Sequence, residues 1–77
     1  MILPSLESLR CFVEAARLLN FRKAARAVAL TPAAFGARIR QLEDQLGAPL
    51  FARTTRVVTL TERGMSLDFR LAYLPTG

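Results

Sequence analysis

Apolar residues recur in short, closely spaced stripes broken by polar punctuation, and the breaks divide the chain into helices and one hairpin. Leu6, Leu9, Val13 and Ala16, with Phe12 beside them, keep the three-and-four spacing of one helical face. That spacing predicts a first helix with this stripe buried. Ser5 is placed as its N-cap, and Glu7 lies in the first turn, where negative charge suits the helix dipole. Asn20 is placed as the cap of a second, short helix whose inward residues are Phe21, Ala24, Ala25 and Val28. Two alanines there are small enough to let two helices cross closely. Ala29 and Leu30 make the turn that follows, with Leu30 directed into the core.

The third helix is the most clearly written. Thr31 is a good N-cap, and Pro32 fits the first helical position, where its missing N–H is no loss. Phe35, Ile39, Leu42 and Leu46 form the buried face, Gly47 stops the helix and Pro49 prevents its restart. The opposite side carries Ala33, Gly36, Ala37, Arg40 and Asp44. Two short β-prone runs follow, joined by Arg53-Thr54-Thr55-Arg56, with the sharp turn near Thr54 and Thr55. Val58 and Leu60 alternate toward the core opposite Phe51. Thr61 then caps a last helix with Glu62 in its first turn. Met65, Phe69 and Ala72 make one apolar stripe on it, and Leu67, Leu71 and Leu74 make another. Together they are wider than a small domain needs, and Pro75 and Gly77 end the chain.

A short helix, a turn, a capped helix and a basic hairpin make a winged helix-turn-helix. The fold expected is mainly α: a three-helix core, a two-stranded wing and the start of a linker helix. Residues 1–61 are read as the winged domain, with the helix-turn-helix at about 21–40, and residues 62–77 as a shortened linker or dimerisation helix. Such folds chiefly serve to place a helix in a DNA groove.

Composition narrows the chemistry. A chain of 77 residues makes one small domain with a thin core. One cysteine rules out an internal disulfide, and Cys11 is read as a small packing residue in a reducing compartment. Without histidine or a cysteine pair, a structural zinc site is not expected, nor is any cofactor. No catalytic constellation or glycine-rich phosphate loop is present. The apolar runs are too short to span a bilayer and no secretory leader is seen, so a cytoplasmic protein is expected.

The net charge of +5 matters less than its placement. No acid lies between Glu14 and Glu43, whereas Arg17, Arg22, Lys23, Arg26, Arg38 and Arg40 do, and Arg53 and Arg56 extend the basic run into the hairpin. A one-sided basic surface is an electrostatic footprint for phosphate; a plain solvated face is the alternative. Arg40 lies nearer the exposed face of the third helix, while Arg38 is lateral and is expected to pair with Glu43 or Asp44. Arg10 and Arg17 are read as solvated helix residues, and Phe12, Phe21, Phe35 and Phe51 as core rather than base-stacking aromatics.

These pieces resemble the N-terminal DNA-binding domain of LysR-type bacterial transcriptional regulators. The matching residues are Ala24-Ala25, Ile39, Leu42-Glu43, Leu46-Gly47, Leu50-Phe51, Arg53, Leu60-Thr61 and Gly64, in one order over roughly Leu6 to Gly64. The resemblance implies that Thr31, Pro32, Ala33, Gly36 and Ala37 at the start of the third helix enter the major groove of double-stranded DNA. It implies a backbone or minor-groove contact for Arg53, beside which Thr54 and Arg56 are read as phosphate contacts. Arg22 and Lys23 open the second helix, whose N-terminus can itself bind phosphate. Arg38 and Arg40 complete the expected DNA-binding set. It further implies a homodimer through the last helix, by Met65, Leu67, Phe69, Leu71, Ala72 and Leu74, on an inverted-repeat site. No effector domain lies within these residues.

Family members often carry Gln where this chain has Pro32 and Ser where it has Gly36. The groove face here is small and apolar, which favours methyl contact and close approach over hydrogen bonding. Gly36 fits a backbone that must come close to something; neutral change on an exposed face fits as well. Two rival functions stay open: a protein-interaction winged helix without a nucleic-acid role, and a basic amphipathic membrane-surface element.

Overall fold

A computed structural model describes residues 4–54 and 57–72. The elements run α1 (Leu6–Leu18), α2 (Phe21–Ala27), α3 (Pro32–Leu46), β1 (Phe51–Arg53), β2 (Val58–Leu60) and α4 (Glu62–Ala72). The helix caps fall where the sequence places them. Ser5 Oγ accepts from the Ser8 amide at 3.1 Å, Asn20 Oδ1 from Lys23 at 2.9 Å and Thr31 Oγ1 from Ala34 at 3.1 Å. Each satisfies one amide that the first helical turn leaves unpaired.

The core gathers Cys11, Phe12 and Ala15 of α1, Ala24 and Ala25 of α2, Phe35, Ile39 and Leu42 of α3, and Leu50 and Phe51 at the start of the wing. On α1 this corrects the expected stripe by about one residue. Leu6 is 77% exposed and Val13 is exposed, while Leu9 and Ala16 are half-buried at the edge of the core. The buried line is Ser8, Cys11, Phe12 and Ala15. It is built largely from small residues because α2 and α3 both pack on α1. Ser8 is tolerated inside because Ser5 Oγ donates to its hydroxyl at 2.9 Å. Burial first, and the charge of Glu7 second, push the Cys11 thiol pKa up, so it stays a neutral packing group.

Two connections use left-handed backbone without glycine: Leu19 (φ 48°) after α1 and Ala29 (φ 59°) after α2. The second makes the turn of the helix-turn-helix, with the Leu30 amide donating to the Ala25 carbonyl at 2.9 Å and Leu30 packed at the core edge. Gly47, at φ 73°, ends α3 in the conformation that favours glycine.

The wing is a two-stranded antiparallel ribbon in the register Phe51 to Leu60, Ala52 to Thr59 and Arg53 to Val58. Alternation therefore puts Phe51, Arg53, Val58 and Leu60 on one face and Ala52 and Thr59 on the other. Leu50, just before the ribbon, is held on all sides. Its amide donates to Glu43 Oε2 at 2.7 Å, its carbonyl accepts from the Thr61 amide at 3.0 Å, and its side chain is buried. Thr61 caps α4 by accepting from Gly64 at 3.1 Å, while its own hydroxyl donates to the Pro49 carbonyl at 2.7 Å. Gly64 is buried against this point: a Cβ there would land on the Leu50 carbonyl oxygen and crowd the Leu60 side chain.

Candidate nucleic-acid interface

The first two turns of α3 present the expected residues, Gly36 partly excepted, to solvent. Thr31, Pro32, Ala33 and Ala37 are exposed, as is Arg40 a turn further on. Phe35 and Ile39, on the opposite side, are fully buried and fix the rotation of the helix about its axis. Gly36 is half-buried, yet nothing lies within 4 Å of the position its Cβ would take. No contact among the described residues therefore requires glycine there.

Two candidates are drawn elsewhere. Arg38 Nε donates to Glu7 Oε1 of α1 at 2.7 Å, which corrects its expected pairing with Glu43 or Asp44. Glu43 instead turns its carboxylate to the wing, accepting from Leu50 at 2.7 Å and Phe51 at 3.4 Å. The Thr54 hydroxyl helps to close the hairpin, accepting from the Val57 amide at 3.0 Å, while the Thr54 amide donates to the Val57 carbonyl at 2.9 Å. Arg17, read as freely solvated, pairs with Glu14 at 2.6 Å. Arg56 and Leu74 lie outside the described residues.

The basic surface is concentrated by these pairings. Arg38 and Arg17 are neutralised by acids from α1, whereas Arg22, Lys23, Arg26 and Arg40 enter no ion pair among the described residues. Arg22 and Arg26, one helical turn apart, line an open hollow of about 350 Å³ with Ala29, Leu30, Thr31 and Pro32. Cations on α2 thus reach the start of α3. Arg26 was not among the expected site residues, although its i,i+4 relation to Arg22 is legible in the sequence.

Arg53 sits differently from a residue at a wing tip. It shares the inner face of β1 with Phe51, and its guanidinium carbon lies 4.8 Å from the centre of the Phe21 ring. Phe21 also meets Phe35 at 5.4 Å and Phe51 at 5.2 Å, both edge-on.

On α4, Leu67 and Leu71 pack toward the core of their own chain. Met65 and Phe69 are 57% and 64% exposed, and Ala72 is exposed. Of the five described residues expected at a dimer contact, these three present surface. No helix among the described residues is long and apolar enough to cross a membrane, and no cluster of acids and cysteine among them could hold a metal ion.

A short helix, a tight turn and an outward-facing capped helix beside a two-stranded wing define a DNA-binding domain of the winged helix-turn-helix class. The family described as bacterial regulatory helix-turn-helix protein, lysR family, matches residues 6–65, and the chain belongs to it. It is 51% identical over 59 residues to the HTH-type transcriptional regulator TtuA of Agrobacterium vitis, covering 77% of this chain and 19% of that protein. It is 48% identical over 64 residues to the glycine cleavage system transcriptional activator of Escherichia coli K12, covering 83% and 21%. The chain thus spans about a fifth of the length of these relatives. Vibrio fischeri DarR, solved in complex with DNA, superposes with a TM-score of 0.86 at 33% identity, over 94% of this chain and 24% of that one. The BenM_DBD/benA site 1 DNA complex gives 0.82 at 29% identity, over 88% and 76%.

Proposed function

We propose that this chain is the DNA-reading part of a bacterial cytoplasmic transcriptional regulator, and that it reads duplex DNA with the start of α3 in the major groove. Ala33, Gly36 and Ala37 meet base edges by close approach and methyl contact, with Thr31 and Pro32 at the groove's rim. Arg40, Arg53, Arg22, Lys23 and Arg26 hold the phosphates on either side, and Arg56 extends that set from the hairpin. Arg38 contributes least, because Glu7 already answers its charge. Two copies pair through Met65, Phe69 and Ala72 of α4 and meet an inverted-repeat site.

The observation that carries this reading is the outward face of α3, small and apolar, flanked by cations that have no acidic partner among the described residues. A protein-interaction surface would favour balanced charge there, so that reading is the weaker of the two. Salt titration of binding to a mixed-sequence duplex tests the reading. Each phosphate neutralised contributes a slope of about −0.9 in log K against log salt, so contact by about five or six cations gives a steep line. A flat response, or no binding at low salt, would refute it.

A further inference from the structure

We propose that Phe21 is a positioning residue for DNA binding: its ring holds the Arg53 guanidinium ready for the phosphate backbone. The inference rests on the reading of Arg53 as a phosphate contact. It begins from the register of the wing. Phe51 and Arg53 lie two apart on β1 and share its inner face. Phe51 is buried, and Arg53, at the end of the strand, is exposed. Both touch the same ring, Phe51 at 5.2 Å between centroids and Arg53 with its guanidinium carbon 4.8 Å from the centroid. The wing arginine is therefore laid back across α2 instead of reaching freely into solvent.

Phe21 is suited to this task by where it is fixed. It is the first residue of α2, directly after the Asn20 cap, and its ring is braced against Phe35 in α3 as well as Phe51 in the wing. A flexible arginine normally loses much rotamer freedom when it grips a phosphate. One already stacked on a braced ring has lost part of that freedom before DNA arrives. A planar guanidinium over a ring still presents its N–H edge outward for a phosphate oxygen. Arg22 and Lys23 follow Phe21 directly, so the same ring anchors the start of a segment that carries two further cations.

The test separates stacking from packing. The 77-residue chain is made with Phe21→pentafluorophenylalanine, which keeps an aromatic ring of similar shape but reverses the charge on its face. Binding to a mixed-sequence duplex is measured for this chain, for Phe21→Tyr, for Arg53→Ala and for the fluorinated chain carrying Arg53→Ala. An exposed cation–π contact corresponds to a loss of about two- to fivefold on fluorination. Phe21→Tyr should bind like the parent, and fluorination should cost nothing more once Arg53→Ala is present. Thermal melting confirms that each chain is folded. Equal binding by the fluorinated and parent chains, or a full further loss in the Arg53→Ala background, would overturn the proposal and reduce Phe21 to a core residue. Failure of the parent chain to bind any duplex would instead overturn the functional reading on which it rests.

Discussion

Two glycines show how differently one residue type can be used. Gly64 is buried where α4 crosses the start of the wing, and a methyl group there has only the Leu50 carbonyl to occupy. Gly64→Ala should therefore destabilise the domain by about 1–3 kcal/mol, the range for forced overpacking, read as a fall in melting temperature. Gly36 has open space around it and an ordinary helical setting. Gly36→Ala should raise stability by about 0.5–1 kcal/mol through helix propensity. If the α3 backbone approaches base edges, the same change should weaken duplex binding. A more stable protein with undiminished affinity would assign Gly36 to neutral change.

At the level of elements, the helices and their caps were legible because each is signalled locally. Thr31-Pro32 opens α3 and Gly47 closes it, and no distant residue alters those preferences. Pairings between elements were not legible. Sequence alone pairs Arg38 with acids five and six positions along its own helix, although only three- and four-residue separations bring helical side chains together. Its partner Glu7 comes from α1, thirty-one positions away in sequence, and only the packing of the two helices places it there. The α1 stripe slipped for a related reason. Ser8, Cys11 and Ala15 repeat at helical spacing too, but hydrophobicity alone ranks them below Leu6 and Val13. Close packing by α2 and α3 selects small residues on either side of Phe12, and Leu6 and Val13 are left outside.

Glu43 joins two elements by the same kind of nonlocal contact. Its carboxylate accepts the Leu50 and Phe51 amides after the chain turns back at Gly47. Glu43→Ala should cost about 1–3 kcal/mol, because it strands a donor at the buried start of the wing. Faster hydrogen exchange at the Leu50 and Phe51 amides, with α1 unchanged, would be its signature. Uniform loosening of the whole domain would show that Glu43 acts on the core instead.

At the scale of the molecule, the thin core leaves apolar surface uncovered. Met65 and Phe69 on α4 are exposed, and Leu6 and Val13 are exposed on α1. Surface of this kind often marks a partner site. Sedimentation across a concentration series should show a weak self-association that Met65→Glu together with Phe69→Glu abolishes without unfolding the domain. A monomer at every concentration would remove the dimer from the proposal. The attachment of α4 has a further mechanical meaning. Leu50 is tied by its amide to α3, by its carbonyl to the cap of α4, and by its side chain to the core. That junction couples α4 to the wing and to α3 through a single residue. A torque applied to α4 is passed through Leu50 to the wing and to α3, so in two copies joined by α4 it would bear on the angle between their reading helices.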